Sequence, residues 1–180
     1  MKVFLDLDGV LVDFLSGLHK ALKAPYSYDD YRYTKGKWDM FEEIPATFDK
    51  CNDCCCTVFW MSLKLMHDAN KILDLVRCNF PDESIYLLTT PMLNMGSWRG
   101  KAEWVEKHLP KFSKRLIITT TTKSLLAGPD SLLIDDRDQN VEEFRAAGGK
   151  TILVPRPWNK LHASAWETVD VVKRELERLT

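Results

Sequence analysis

The sequence predicts an α/β fold in which helices cover both faces of a parallel sheet. Short apolar runs typical of strands alternate along the chain with amphipathic stretches typical of helices. Polar side chains also stand at the carboxyl ends of several of these apolar runs. Because ligands of open α/β sheets bind outside the carboxyl ends of the strands, this pattern predicts a functional site at that edge.

The first predicted strand covers residues 3–5, and two carboxylates, Asp6 and Asp8, follow it before Gly9. Strand alternation would point both carboxylates to the same side. Two like charges in proximity favour a hard divalent cation such as Mg²⁺, and a carboxylate at the end of a buried strand can attack phosphorus. A turn with two solvated aspartates is the alternative, and these residues alone leave it open.

Four more strands and several helices follow in alternation. We predict the strands over residues 84–91, 115–119, 131–136 and 150–155. The predicted helices cover residues 15–22, 38–48 as far as Pro45, 57–68, 70–76, 100–108, 139–147 and 163–179. At 180 residues, this pattern fits one domain, or one domain with a small insertion.

The composition is that of an ordinary globular protein, with 45% hydrophobic residues, 28% charged residues and a net charge of −1. This charge gives no reason to expect polymeric nucleic acid or a membrane as a partner. No apolar stretch approaches the ~20 residues that span a bilayer, and the first residues do not resemble a signal peptide. We therefore expect a cytoplasmic protein, and the sequence leaves open whether it forms a homodimer.

Five cysteines are present, four of them clustered as Cys51, Cys54, Cys55 and Cys56. The cluster has one C-x-x-C spacing but no second pair and no histidine at ligand spacing, whereas a zinc site needs four donors. We therefore expect free thiols rather than a metal site or a redox module.

Four motifs in order resemble those of the haloacid dehalogenase superfamily of phosphotransferases. They are Asp6-Leu7-Asp8-Gly9, an apolar strand ending at Thr89, Lys123, and the acidic pair Asp135-Asp136 after an apolar strand. The resemblance implies a Rossmann-like sheet with a small helical cap inserted after the first strand. We expect the core to comprise residues 1–15 and 77–180, and the cap to comprise residues 16–76.

The resemblance also implies a catalytic mechanism. Asp6 would be the nucleophile that forms an aspartyl-phosphate, and Asp8 the acid and base that serves the leaving alcohol and then water. Mg²⁺ would be held by Asp6, the backbone carbonyl of Asp8, and Asp135 or Asp136.

Two further motif residues would contact the phosphate. Lys123 would offset its charge, and the Thr89 hydroxyl would donate a hydrogen bond to it. Taken singly, Lys123 could equally be a solvated surface lysine and Thr89 an ordinary strand residue.

Longer strings resemble the 5′(3′)-deoxyribonucleotidase family, namely residues 6–14, 88–91, 101–105 and 132–137. Members of that family hydrolyse nucleoside monophosphates with Mg²⁺ and prefer deoxyribonucleotides. The resemblance implies that Phe14 lies near the base, that Thr90 and Lys101 approach the phosphate, and that Arg137 lies near the substrate.

Aromatic residues of the predicted cap, Trp38, Phe59 and Trp60, are candidates for stacking on the base. The segment 54–63 and the threonine-rich run before Lys123 depart from the family pattern, which bears on nucleotide preference. A phosphatase for another small ester such as a sugar phosphate, or a catalytically silent binding protein on the same fold, are the alternatives.

Overall fold

The computed structural model describes residues 1–38 and 40–179, and its centre is a five-stranded parallel sheet. The strands are β1 (Lys2–Leu5), β2 (Ile85–Thr89), β3 (Leu116–Ile118), β4 (Ser131–Asp135) and β5 (Lys150–Leu153). Their order is β3-β2-β1-β4-β5, and every neighbouring pair is parallel. The predicted parallel sheet is therefore confirmed, and β1 occupies its centre.

Eight α-helices lie within the described ranges. They are α1 (Phe14–Ala21), α2 (Met40–Glu43), α3 (Phe48–Cys54), α4 (Thr57–Ser62), α5 (Ala69–Asn79), α6 (Gly96–His108), α7 (Asp138–Ala146) and α8 (Thr168–Glu177). Short 3₁₀ segments cover Asp82–Ser84, Pro110–Arg115, Lys123–Leu126 and His162–Ser164. In α5, one buried face contains Ala69, Ile72, Leu73 and Val76, and this spacing of apolar residues is what predicts a helix from the sequence.

Apolar side chains bury both faces of the sheet, as parallel sheets require. Val3 and Leu5 point into the larger apolar layer, which also contains residues of α5, α6 and α8. The smaller layer on the opposite face consists of Phe4, Leu88, Leu133 and Phe144. This alternation along β1 anchors the central strand on both sides.

Helix α4 of the predicted cap packs directly against α6. A Cβ atom on Gly100 would lie 2.5 Å from the Cβ of Trp60 and 2.9 Å from the carbonyl oxygen of Thr57. The Trp104 indole N–H also donates to the Leu63 carbonyl across the same interface at 2.9 Å. The interface therefore fixes the position of Trp60 relative to α6.

Helix α5 runs across the predicted boundary between residues 76 and 77, and it contacts α8. The division of the chain into a core and a cap at those residues stays a prediction.

Three predicted helices are shorter in the structure. The helix predicted over 57–68 ends at Ser62, because Leu63 is extended and Leu65 forms an isolated β-bridge with Val12. The helix predicted from residue 38 towards Pro45 is confined to Met40–Glu43 within the described residues. The helix predicted over 163–179 covers only Thr168–Glu177, because His162–Ser164 form a separate 3₁₀ turn. Trp166 consequently lies off the helix and is 71% exposed.

The five cysteines are free thiols, as expected, and the four clustered ones lie in α3 and the turn that leads into α4. Among residues 1–38 and 40–179, no helix has both the length and the apolar character needed to cross a membrane.

We expect Gly100→Ala to destabilise the protein by ~1–3 kcal/mol, because the added methyl group would collide with the backbone of Thr57 and force α4 from α6. Gly128→Ala is the matched control, since a Cβ there meets nothing within 4 Å, and its effect should stay within about 0.5 kcal/mol. Urea unfolding of both variants measures the difference. Equal stability of the two would contradict the tight helix contact.

Candidate active site

The carboxyl ends of the three central strands bring the predicted motif residues together. Leu5 of β1 pairs with Leu87 on one side and with Ile134 on the other. Asp6 follows directly, and its backbone N–H donates to the Ile134 carbonyl at 3.0 Å. Thr89 and Asp135 end the two flanking strands. The parallel register therefore places these polar side chains at one edge.

Lys123 bridges two of the carboxylates. Its Nζ lies 2.6 Å from Asp6 Oδ1 and 2.7 Å from Asp135 Oδ2, and the lysine is 4% exposed. Burial alone would lower the pKa of Lys123, but the two adjacent carboxylates outweigh it and raise that pKa. Burial raises the pKa of Asp6 to about 7, although the ammonium of Lys123 acts in the opposite direction.

A second buried lysine serves Asp8. The ammonium of Lys101 contacts Asp8 Oδ2, lies 3.0 Å from Thr89 Oγ1, and sits 3.9 Å from the ring centroid of Trp60. The Thr89 hydroxyl also approaches Asp8 Oδ2 at 3.4 Å. The other oxygen, Asp8 Oδ1, is buried and has no hydrogen-bond partner among the described residues 1–38 and 40–179. Asp8 is thus held from one side and keeps one oxygen unengaged.

The two carboxylates after β4 have different partners. Asp135 accepts hydrogen bonds from Lys123, the Arg137 backbone N–H and the Asn140 amide, so both of its oxygens are engaged. Asp136 Oδ2 accepts from the neutral indole N–H of Trp158 at 2.7 Å. Burial and the neighbouring carboxylates raise the pKa of Asp136 well above its usual value.

The donor set fits a hard divalent cation. Oxygens of Asp6, Asp135 and Asp136 lie within 4.8 Å of one another, and all three residues are buried. Within the described residues, the side chain of Asp136 accepts its hydrogen bond from the neutral indole of Trp158, and the positive charge of Arg156 offsets only part of the effect of burial on its pKa. Gly9, at φ +77°, allows the close approach, because a Cβ there would lie 2.0 Å from Asp136 Oδ2. Carboxylate oxygens are the ligands that Mg²⁺ prefers.

An open cleft lies above these carboxylates. Asp6, Asp8, Lys123 and Asp136 form its polar floor. Its apolar walls include Phe14, Trp38, Met40, Phe41, Trp60, Met66, Met92 and Trp158. A polar floor with aromatic walls suits a ligand that has a charged end and a flat apolar end.

The wall residues are fixed by aromatic contacts. Phe14 stacks on Trp60 with ring centroids 5.2 Å apart and planes 17° apart. The Arg137 guanidinium lies 5.6 Å from the ring centroid of Trp38, and both line the cleft. Thr90 also lines the cleft, and it is exposed.

Some predicted residues lie behind the cleft rather than in it. Phe59 packs edge-on against Phe14 at 6.0 Å and does not line the cleft. Thr89 and Lys101 are buried beneath Asp8, and Asp135 lies beneath Lys123. These residues therefore act on the cleft indirectly, by contacting the side chains that line it.

Sequence reasoning missed Asn140 and Trp158, which both line the cleft and bond to the acidic pair. Trp158 follows β5, so the rule that pointed to the ends of the other strands could also have found it. Asn140 lies in the first turn of α7 rather than at the end of a strand, so the pattern of polar residues at strand ends does not predict it.

Comparisons with known proteins give a consistent result. The model of the family described as 5′ nucleotidase, deoxy (Pyrimidine), cytosolic type C protein matches residues 1–175. The cytosolic-type 5′(3′)-deoxyribonucleotidase of Homo sapiens is 28% identical over 155 residues, covering 77% of this chain and 71% of the human protein. A Vibrio phage KVP40 protein, provisionally described as a 5′(3′)-deoxyribonucleotidase, is 31% identical over 138 residues, covering 77% of this chain and 67% of the phage protein.

The fold also resembles a solved hydrolase from Pseudomonas syringae. The TM-score is 0.50 at 12% identity, and the match covers 97% of this chain and 89% of that one. This likeness concerns the fold alone.

The raised pKa values of Asp6 and Asp136 predict that the thermal stability of the protein depends on pH when a chelator is present. Because folding favours the protonated carboxyls, the melting temperature should fall as the pH rises from about 5 to about 8. Asp136→Asn removes one buried charge and should melt a few degrees higher than the wild type at pH 8. Differential scanning calorimetry in EDTA measures this. Asp130→Asn, at an exposed position, should keep the wild-type slope, and an equal slope in Asp136→Asn would contradict the prediction.

Proposed function

Because the chain belongs to the cytosolic type C family of 5′ nucleotidases, we propose that it hydrolyses deoxyribonucleoside monophosphates in a Mg²⁺-dependent reaction through an aspartyl-phosphate. The observation that carries this proposal is the pairing of Asp6 with Lys123 and of Asp8 with Lys101 at the floor of an aromatic cleft. A nucleotide has the two ends that this cleft suits, a phosphate and a flat base.

Asp6 is the nucleophile in this proposal. A carboxylate oxygen of Asp6 attacks the phosphorus, and the bond between phosphorus and the nucleoside oxygen breaks. Lys123, 2.6 Å from Asp6 Oδ1, orients the carboxylate and offsets negative charge as the phosphate enters. Its second contact, with Asp135, fixes the ammonium in place.

Asp8 is the general acid and base. It donates a proton to the departing nucleoside oxygen, and it then takes a proton from the water that attacks the aspartyl-phosphate. Lys101 stabilises the Asp8 carboxylate that forms between the two steps, and Thr89 shares that contact. The unengaged Asp8 Oδ1 supports this assignment, because a proton-transfer group needs an oxygen without a fixed partner.

A Mg²⁺ ion would be held by Asp6, the Asp8 backbone carbonyl and Asp136. When bound, it supplies positive charge that neutralises the phosphate oxygens. We assign the direct contact to Asp136 rather than Asp135, because three donors engage the oxygens of Asp135, whereas Asp136 lines the cleft. Asp135 then positions Lys123.

The base lies between aromatic side chains of the cleft. Phe14 and Trp60 form one stacked wall of the cleft, and Trp38 with the overlying Arg137 forms a second part of its lining. Thr90, which also lines the cleft, donates a hydrogen bond from its hydroxyl to the phosphate in this proposal. The net charge of −1 suits a small nucleotide rather than polymeric nucleic acid, and we propose a cytoplasmic location.

The first test is phosphate release from a panel of deoxyribonucleotides, ribonucleotides and sugar phosphates. We expect the deoxyribonucleotides to react fastest, EDTA to stop the reaction and Mg²⁺ to restore it. Asp6→Asn should lower kcat on the order of 10⁴-fold or more while the fold stays intact by circular dichroism. Asp130→Asn is the control and should retain wild-type turnover. Equal slow rates on every substrate, or turnover by Asp6→Asn, would refute the proposal.

A second test concerns the base site. Trp38→Ala should raise the KM for a deoxyribonucleotide roughly tenfold, because stacking on an aromatic ring is worth ~1–3 kcal/mol per base. The KM for ribose 5-phosphate, which has no base, should change little. Trp166→Ala, at an exposed position outside the cleft, should leave both values unchanged. An equal increase for the two substrates would argue against base stacking at Trp38.

A further inference from the structure

The segment 155–159 after β5 is fully buried although it carries three polar side chains, Arg156, Trp158 and Asn159. Buried polar groups need hydrogen-bond partners, so the residues to which these side chains bond are the residues whose positions the segment fixes. All three side chains bond to the elements that flank the carboxylate cluster. None of them belongs to the four motifs.

Arg156 holds the loop that follows the nucleophile. Its Nε donates to the Gly9 carbonyl at 2.5 Å, and Nη2 lies 3.4 Å from the Val10 carbonyl. Asp68, at the start of α5, receives the guanidinium in a bidentate pair at 2.7 and 2.9 Å. Arg156 is 0% exposed, so this pair is desolvated and its geometry is strongly preferred.

Trp158 and Asn159 hold the other side of the cluster. The Trp158 indole N–H donates to Asp136 Oδ2 at 2.7 Å, and the Asn159 amide donates to the Asp136 backbone carbonyl at 2.8 Å. Asp136 is thereby fixed at both its side chain and its backbone. The backbone N–H of Arg156 lies 3.3 Å from Asn159 Oδ1, which links the two halves of the segment.

We propose that the segment 155–159 is the positioning element of the cation site: Arg156 sets the loop after β1, and Trp158 with Asn159 sets Asp136 against it. Gly9 packs so closely on Asp136 that a Cβ on Gly9 would lie 2.0 Å from Asp136 Oδ2, so a shift of either segment would change the distance between the Asp6–Asp8 loop and Asp136. This inference rests on the proposed Mg²⁺-dependent function. Trp158, Asn159 and Arg156 act through other residues, so they are positioning residues.

The test is Mg²⁺ binding to the metal-free protein, measured by isothermal titration calorimetry without substrate. Trp158→Phe keeps the aromatic wall but removes the donor to Asp136, and we expect Mg²⁺ affinity to fall about 10-fold or more, as for other residues that orient metal ligands. Arg156→Lys keeps a cation for Asp68, but the lysine ammonium cannot bond to the carbonyls of Gly9 and Val10 as the guanidinium does. The Mg²⁺ affinity of this variant should therefore also fall. Trp104→Phe removes another buried indole bond, away from the carboxylates, and should lose stability without losing Mg²⁺ affinity.

A measurement on the wild type covers the case in which a variant fails to fold. With ¹⁵N-labelled tryptophan, the indole N–H resonance of Trp158 should shift on Mg²⁺ addition, whereas that of Trp104 should not. An unshifted Trp158 resonance, or wild-type Mg²⁺ affinity in folded Trp158→Phe, would overturn the inference. Failure of the nucleotidase proposal would show separately, as absent phosphate release by a wild type that binds Mg²⁺ normally.

Discussion

The concentration of negative charge at one edge of the sheet is the constraint on which the site depends. Four carboxylates, Asp6, Asp8, Asp135 and Asp136, meet where three strands end. Two buried lysines contact three of them, and the fourth, Asp136, accepts a hydrogen bond from a neutral indole. Burial and the neighbouring carboxylates raise the pKa of Asp136 although Arg156 acts in the opposite direction, and a bound cation would offset this concentration of negative charge.

The close contact between α4 and α6 connects the aromatic wall of the cleft to the carboxylate of Asp8. Trp60 stacks on Phe14 at the wall, and its ring also lies beside the ammonium of Lys101, which contacts Asp8. Gly100 permits this arrangement by letting the two helices touch. In the proposed reaction, a base bound against this wall would be separated from Asp8 by the side chains of Trp60 and Lys101 alone, so that base binding and proton transfer would depend on the same packed contacts.

The family match confirms the resemblance to the 5′(3′)-deoxyribonucleotidase family that was drawn from residues 6–14, 88–91, 101–105 and 132–137. One of the two departures from the family pattern lies in the segment 54–63, whose cysteines are free thiols. This segment nevertheless places Trp60 in the cleft wall and Leu63 at the α6 interface. The unusual residues there therefore leave this part of the cleft wall in place.

The sequence by itself determined the parallel sheet, the order of its motif residues and the family, because strand ends and short motifs are local patterns. The bounds of helices were not determined in the same way, since α8 begins at Thr168 after a separate 3₁₀ turn over His162–Ser164 that the periodicity does not distinguish. Tertiary structure alone decided that Asp136 rather than Asp135 faces the cleft, and that Arg156 clamps the Gly9 loop. These outcomes depend on hydrogen bonds between residues up to 147 positions apart, and no local pattern encodes such pairings.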